Sequence, residues 1–263
     1  MLWGEHGLSF VVESRGMRLL LDTGQSGDVL RHNLIALGFW DATLDGIVLS
    51  HAHHDHTGGL NEALAHWPNA AVYAHPRIVD ERLTGLHADR HSGLPTATVP
   101  AVKAWHLSAT AIQVAPGIWT TGGITNRPCP LGSSAHHWVK RGETLLPDDY
   151  ADDQSLILYV KGGVALLCGC CHAGLRNTVL RLREMTALPL IAIIGGTHLA
   201  SATEAELDAI VRLVREEGMP LLYLCHCTGD RALFSLQQAL ADRVRRCSAG
   251  TVIEFPDASA STD

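Results

Sequence analysis

The chain has 263 residues, 46% of them hydrophobic, which suits one large α/β domain or two small ones with a sizeable core. Its 27 acidic and 20 basic side chains give a formal net charge of -7, which argues against a basic nucleic-acid-binding surface. No apolar stretch approaches the ~20 residues of a membrane-spanning helix and no signal peptide is evident, so we expect a cytoplasmic protein without membrane segments.

The first half of the chain is predicted to consist mainly of short strands. Two of them flank the turn signal Ser14-Arg15-Gly16. Residues 84–110 mix glycine, proline and histidine and show no clear period. The predicted strands are residues 8–13, 17–22, 46–50, 70–74 and 113–120.

The second half alternates continuous apolar runs with helical patterns, which is typical of buried strands followed by helices. Thr203 and Glu206 have the spacing of a capping box at the start of the clearest helix. No linker or repeat interrupts this pattern, so we predict one domain over residues 1–255 and a flexible tail at residues 256–263. The predicted strands are 155–160, 163–167, 190–194 and 221–224, and the predicted helices are 175–185, 205–217 and 231–240.

Four of the predicted strands end at clusters of metal-binding residue types. The first is followed by HAHHDH, and the other three are followed by CGCCHAG, GGTHL and CHCTG. Open α/β folds place their sites at the carboxyl ends of neighbouring strands. We therefore expect the four clusters to converge at one edge of the sheets.

The histidine-rich segment has a geometry suited to metal. His51 and His53 are two residues apart, so on an extended backbone their side chains point the same way and that of His54 points away. Asp55 and His56 follow where the chain turns, and the two glycines after them allow a close backbone approach. One pair can hold one ion and the turn can hold a second beside it. The alternative, four surface histidines in a loop, is disfavoured by their density at a strand end.

The segment HAHHDH matches the His-x-His-x-Asp-His signature of the metallo-β-lactamase superfamily, and Asp22-Thr23-Gly24 resembles the strand-end Asp-x-Gly of the same fold. The resemblance implies an αββα sandwich, in which two mixed β-sheets have helices outside and usually two metal ions lie between the sheet edges. It also implies that His51 and His53 hold one ion and that Asp55 and His56 hold the other. Asp22 is then expected to orient a histidine.

Further segments resemble one branch of the superfamily, named for 7,8-dihydropterin-6-methyl-4-(β-ribofuranosyl)aminobenzene 5′-phosphate synthase. They cover nearly the whole chain. Members of that branch usually have an additional first strand, which is expected to be missing here, and Cys171 replaces the more usual small residue before His172. The matching segments are EHGLS (5–9), DTGQ (22–25), DDQSL (152–156), GCCHAG (169–174), GGTHL (195–199) and HCTG (226–229).

The superfamily resemblance implies three more ligands: a histidine, a carboxylate that bridges the ions, and a final histidine. In the superfamily the final histidine ligand follows a helix and a strand. His226 follows the predicted helix 205–217 and strand 221–224 in the same order, so the resemblance assigns it to the metal. Cys170 stands where the bridging carboxylate is expected, and a thiolate there suits zinc; the alternative is a small buried thiol. His172 is the candidate for the other histidine. The sequence leaves open which of Cys170, His172 and His198 completes the shell. His6 is left unassigned beside the expected pocket, and histidines 75, 136 and 137 are expected at the surface.

The implied activity is that of a dinuclear metal hydrolase. Two divalent ions, expected to be zinc with manganese or iron(II) as alternatives, would supply a metal-activated hydroxide. Its substrate would be a small phosphate ester, carboxylic ester or amide. Asp55 would hold one ion and orient the water, and His198 would protonate the leaving group. His53 argues against the di-iron redox branch of the fold, which has glutamate at that position.

The branch resemblance implies a second reaction class. It is a transferase that joins a dihydropterin-methyl diphosphate to an aminobenzene ribose phosphate and releases pyrophosphate. The acidic balance argues against the tRNA-processing nucleases of this fold, so no nucleic-acid partner is expected. A zinc-stabilised binding protein would need closed coordination, which the paired-ion signature disfavours. The expected partner is a small-molecule substrate.

Overall fold

The computed structural model describes residues 1–95, 102–132 and 134–256, so the predicted tail lies almost wholly outside the described residues. The helices are α1 (Gly27–Ala36), α2 (His54–Thr57), α3 (Leu60–His66), α4 (Leu175–Met185), α5 (Glu204–Glu216) and α6 (Asp230–Leu240). The strands of the first half are β1 (Phe10–Ser14), β2 (Met17–Leu21), β3 (Gly46–Val48), β4 (Ala71–Ala74), β5 (Glu81–Thr84), β6 (Arg90–His91), β7 (Trp105–Leu107), β8 (Gln113–Ala115) and β9 (Ile118–Thr120). Those of the second half are β10 (His137–Arg141), β11 (Thr144–Pro147), β12 (Ser155–Val160), β13 (Gly163–Cys168), β14 (Leu190–Gly195), β15 (Leu221–Leu224) and β16 (Val244–Arg246).

Two mixed sheets form the centre of the molecule. The first has the order β1-β2-β3-β4-β7, in which only β1 and β2 pair antiparallel. The second has the order β16-β15-β14-β13-β12-β9-β8 and is parallel from β13 to β16. Because β13, β14 and β15 are parallel neighbours, the residues that follow them lie at one edge of this sheet.

Three buried clusters define the layers. Leu20 faces the helices α1 and α3, whereas its neighbours Leu19 and Leu21 face the second sheet. On the second sheet Leu166 faces the helices α4, α5 and α6, and Leu167 faces the first sheet. This alternation follows from the two-residue period of a strand buried on both faces. The predicted αββα sandwich, with two mixed sheets inside and helices outside, is confirmed.

A third sheet extends the predicted architecture. It is antiparallel, with the order β11-β10-β5-β6. Its strands come from two segments far apart in the chain, neither of which has a strand-like period. The sheet matters for the site because Arg82 and the turn after β11 bring charged side chains to the centre.

Several predicted elements differ from the observed ones. The single strand predicted at residues 113–120 is two strands, β8 and β9, which turn at Pro116 and Gly117, where Gly117 has a φ of +75°. The strand predicted from residue 8 begins at Phe10, because the Leu8 amide donates to the Asp55 carbonyl oxygen. The capping box of Thr203 with Glu206 is present at the start of α5. No helix in the described part of the chain has the length and apolarity needed to cross a membrane.

Candidate metal centre

The first half of the site is the segment between β3 and α3. The chain runs without strand pairing past His51 and His53, and the short helix α2 begins at His54. His51, His53 and His56 are buried, whereas His54 is exposed. The expected outward orientation of His54 is therefore observed, and it arises from the start of α2 rather than from strand alternation.

The second half of the site lies at the ends of three neighbouring parallel strands. Cys170 and His172 follow β13, His198 follows β14 and His226 follows β15. His198 and His226 have φ values of 49° and 52°, and Cys171 has 55°. Non-glycine residues held in this left-handed region cost about 1–3 kcal/mol each and concentrate at functional sites. The local backbone is thus shaped to aim these side chains at the edge of the sheet.

The seven side chains predicted to bind metal lie together between the two sheets, in two groups. In the first group, His51 Nε2 is 3.1 Å from His53 Nδ1. The rings of both histidines lie 4.8 Å from the ring of His172. The Cys170 sulfur lies within 4.8 Å of ligand atoms of His51 and His172.

The second group contains Asp55, His56 and His226. Asp55 Oδ2 is 3.3 Å from His226 Nε2 and 3.7 Å from His56 Nε2. The two Nε2 atoms are 3.2 Å apart, and Cys170 Sγ is 3.1 Å from His56 Nε2. Two ligand atoms on a tetrahedral zinc ion, with bonds of about 2.0–2.1 Å, are roughly 3.3 Å apart. The separations in both groups are therefore compatible with one ion each, and the Cys170 sulfur lies between them.

Hydrogen bonds on the far side of three rings leave the Nε2 atoms free to bind metal. The Ser50 hydroxyl donates to Asp22, so its oxygen accepts from the Nδ1–H of His51. The other two acceptors are the Asp22 carboxylate, for the Nδ1–H of His56, and the Gly132 carbonyl oxygen, for the Nδ1–H of His172. His172 Nε2 is buried and has no hydrogen-bond partner among the described residues, which fits a metal ligand. The three pairs are His51 with Ser50 Oγ (2.9 Å), His56 with Asp22 Oδ2 (2.7 Å) and His172 with the Gly132 carbonyl oxygen (2.7 Å).

The electrostatic setting of most of these groups suits a cation. At His56, Asp22 outweighs burial and raises the pKa to about 9, so this ring must release a proton when it binds a metal. Burial, and then the neighbouring histidines, hold the pKa values of His51 and His172 well below the ordinary value, so both rings are neutral, the form that binds metal. Burial opposes ionisation of Asp55, but its hydrogen bond with His226 and the nearby imidazoles outweigh burial and lower its pKa. Burial raises the pKa of the Cys170 thiol well above its ordinary value, so this sulfur ionises only beside a cation.

A buried arginine and two carboxylates support the histidine segment from behind. Arg82, in β5, is 1% exposed and donates through Nε to Asp148 Oδ2 (3.1 Å) and through Nη2 to Asp152 Oδ1 (2.6 Å). Asp148 Oδ2 lies 3.7 Å from His53 Nε2, and Asp152 Oδ2 accepts a hydrogen bond from the Ala52 amide at 2.8 Å. Asp152 lies in the segment DDQSL that resembles the superfamily branch, whereas Arg82 and Asp148 lie in segments without a readable pattern and were not predicted.

His198 lies beside the first group and outside both sets of histidines described above. Its ring centroid is 4.4 Å from that of His172, and its backbone N–H donates to Cys227 Sγ at 3.2 Å. His198 Nδ1 is buried without a partner in the described part of the chain. Its ligand atom also comes within 4.8 Å of those of Cys170 and Cys227.

Two of the three histidines expected at the surface are placed differently: His75 is buried, and His137 is half-buried beside the site. The His137 ring lies 4.7 Å from that of His53, and His137 Nδ1 lies 3.1 Å from the Tyr150 hydroxyl. Burial, and then the neighbouring His53, lower the pKa of His137 to about 4. Nothing in the local sequence distinguishes His137 from the exposed His136 beside it.

The sandwich with paired ligand groups between its sheet edges defines a metallo-β-lactamase-type protein. The family model described as "Metallo-beta-lactamase superfamily" matches residues 2–146, more than half of the chain, and the protein belongs to this superfamily.

Two relatives and two solved structures extend this result. The chain is 28% identical to the 7,8-dihydropterin-6-methyl-4-(β-D-ribofuranosyl)-aminobenzene-5′-phosphate synthase of Methanocaldococcus jannaschii, over 96% of this chain and 91% of that protein. It is 36% identical to a hydroxyacylglutathione hydrolase of Citrobacter koseri over 81 residues, 31% of each chain. The crystal structure of a metal-dependent hydrolase of the β-lactamase superfamily superposes with a TM-score of 0.86 at 26% identity, covering 97% of this chain and 94% of that one. A diphosphatase from the PhnP family shares the fold, with a TM-score of 0.53 at 17% identity, over 94% of this chain and 83% of that one.

Proposed function

We propose that the protein is a dinuclear metal-dependent hydrolase that acts on a small phosphate ester, carboxylic ester or amide. The observation that supports this function is the pair of ligand groups that share Cys170, with ligand atoms at metal-compatible separations. Two divalent ions bound there would supply Lewis acidity, which would lower the pKa of a water toward about 7 and offset charge on the attacked oxygen. The histidine, carboxylate and thiolate donors favour zinc over magnesium or calcium.

The chain's own residues divide the remaining work. Asp55 is the most exposed member of its group at 22% of its side chain, against 3% for His226, so its carboxylate faces the opening and can orient a water. His198 lies beside His172 on the other side of the centre, where its imidazole can pass a proton to the leaving group. His198 Nδ1 is buried and has no hydrogen-bond partner among the described residues, so no structural hydrogen bond occupies that atom.

A cavity of about 180 Å³ next to His198 supports a small substrate. Its walls include apolar side chains such as Leu131 and Ile210, one cation, Arg176, and one carboxylate, Glu206. Among the side chains proposed to bind metal or to transfer a proton, His198 lines this cavity.

A second function is favoured by one specific observation. The similarity to the Methanocaldococcus jannaschii synthase extends over nearly the full length of both chains, whereas the similarity to the hydroxyacylglutathione hydrolase covers less than a third. The same metal centre would then activate a diphosphate toward an aromatic amine and release pyrophosphate. Histidine-bound metals suit either reaction, because both need charge offset on a phosphoryl or carbonyl oxygen.

Metal analysis followed by a substrate panel tests the proposal. We expect about two ions per chain, and turnover of at least one of bis-(p-nitrophenyl) phosphate, p-nitrophenyl esters, a lactone or a β-lactam. His226→Ala is expected to lose one ion and the activity, whereas His54→Ala, an exposed neighbour of the ligands, keeps both. A single fully coordinated zinc would contradict the dinuclear centre. Two ions without any hydrolysis, together with turnover of a dihydropterin-methyl diphosphate, would select the synthase reaction.

A further inference from the structure

The segment before β1 is fixed to the site on both sides of His6. Glu5 Oε1 accepts hydrogen bonds from the backbone amides of Gln25 (2.7 Å) and Ser26 (3.3 Å), and Glu5 Oε2 accepts one from the Ser26 hydroxyl (2.8 Å). On the other side, the Leu8 amide donates to the Asp55 carbonyl oxygen at 3.1 Å. The backbone at His6 is therefore held from residue 5 and from residue 8, although no strand or helix includes it.

Close backbone contact tightens this arrangement. A Cβ atom at Gly7 would lie 2.2 Å from the Gln25 nitrogen, which shows that only glycine fits between the segment and the turn after β2. The Gly24 amide adds a hydrogen bond to the Leu8 carbonyl oxygen at 2.9 Å. The backbone on both sides of His6 is therefore closely packed against the turn after β2.

The imidazole held in this way points at the second ligand group. His6 Nε2 is 3.6 Å from Asp55 Oδ2, and the His6 ring lies 4.9 Å from the His226 ring. Ligand atoms of His6, Asp55 and His226 lie within 4.8 Å of one another. The 3.6 Å separation is close to the roughly 3.3 Å between two ligand atoms on one tetrahedral zinc ion.

We propose that His6 is a further ligand of the second metal ion, beside Asp55, His56 and His226; this inference rests on the proposed dinuclear centre. The His6 side chain is 72% exposed, so it approaches from the solvent side, whereas the His226 side chain is 3% exposed. A ligand on that side can exchange with water or substrate without displacing the protein core. With His6 bound, the second ion has four protein ligands even without the Cys170 sulfur.

The test compares His6→Ala with the matched control His54→Ala, since both remove an exposed histidine within a few residues of the centre. Metal-free protein is titrated with cobalt(II), and the affinity of each equivalent is measured by competition with a chromophoric chelator and by the visible spectrum of bound cobalt. In His6→Ala we expect the first equivalent to bind as in wild type and the second to bind roughly 10-fold or more weakly, with altered visible bands. His54→Ala should match wild type in both equivalents.

Exogenous imidazole gives a second measurement. In His6→Gly, millimolar imidazole should restore the wild-type visible bands of the second cobalt ion, because it can occupy the vacated position. Two unchanged binding constants together with an unchanged cobalt spectrum in His6→Ala would overturn the inference and leave the proposed hydrolase standing. Failure of the wild-type protein to bind a second ion would instead contradict the proposed function itself.

Discussion

His53 and His54 are neighbours in the sequence but occupy opposite environments. The His53 side chain is 7% exposed, with Nδ1 directed at His51, whereas His54 is exposed at the start of α2. We expect His53→Ala to lose the ion of the first group and at least about 100-fold of the hydrolytic rate, the contribution of a metal that activates water. His54→Ala should keep full metal content after dialysis. Elemental analysis of both variants decides, and wild-type zinc in His53→Ala would remove His53 from the ligand set.

Asp153 links the site to the pH dependence of stability. It is fully buried; Oδ2 accepts the Ala173 amide at 2.8 Å, and Oδ1 has no partner among the described residues. Burial raises the pKa of Asp153 from 3.8 to about 7, so the folded state holds this proton more tightly than the unfolded chain. The contribution of protonated Asp153 to the unfolding free energy is complete below about pH 4 and is lost as the pH rises through 7. The unfolding free energy falls by at most about 1.4 kcal/mol per pH unit in this range.

Asp153→Asn isolates that contribution, because the amide keeps an oxygen acceptor for Ala173 and does not ionise. Urea unfolding of chelator-treated protein between pH 4 and 7 should give a smaller decline of the unfolding free energy with pH in Asp153→Asn than in wild type. Equal declines would show that Asp153 ionises in the folded protein as readily as in water.

At the level of secondary structure, β5 matters for the site through Arg82. The guanidinium is buried between Asp148 and Asp152, which in turn contact His53 and the Ala52 amide. Arg82→Met removes the cation of a buried ion-pair network and leaves the Asp148 and Asp152 carboxylates without the guanidinium that they contact. We expect a loss of about 3–5 kcal/mol of unfolding free energy. We also expect roughly 10- to 100-fold weaker binding at the first metal position.

Arg212→Met, at an exposed position of α5, is the matched control and should change neither quantity. Urea unfolding and chelator competition measure the two effects separately. If Arg82→Met lowers the unfolding free energy but binds metal as tightly as wild type, the ion-pair network of Arg82 stabilises the third sheet and does not position the histidine segment.

The elements that could be predicted from the sequence are those whose pattern is local. The runs that form β13, β14 and β15, and the amphipathic face of α5, follow from burial on one or two sides, so their place and type were found. The third sheet was missed because β5 is stabilised by pairing with β10, more than fifty residues later. The histidine-rich and cysteine-rich motifs, whose side chains meet at the candidate centre, could be found because their spacing is local. Arg82 and His6 could not be given roles, since their partners are distant in the chain.

On the scale of the whole molecule, the site joins the two halves of the sandwich. The segment after β3 belongs to the first sheet, and the residues after β13 and β15 belong to the second. His56 and His226 approach to 3.2 Å across this boundary, and His56 and Cys170 to 3.1 Å. Bound ions would therefore link the two sheets at the edge where these side chains meet.

Such a link should make metal a strong determinant of global stability. A ligand that binds only the folded state adds RT ln(1 + [L]/Kd), which is about 2.7 kcal/mol at one hundred times the dissociation constant. We expect zinc at that excess to raise the urea midpoint of metal-free wild-type protein and to raise it much less in His53→Ala and in His226→Ala. His53 belongs to the first ligand group and follows a strand of the first sheet, whereas His226 belongs to the second group and follows a strand of the second sheet. Zinc should therefore hardly change the urea midpoint of the double variant. A zinc-induced shift as large in the double variant as in wild type would mean that the stabilising ion binds elsewhere in the molecule.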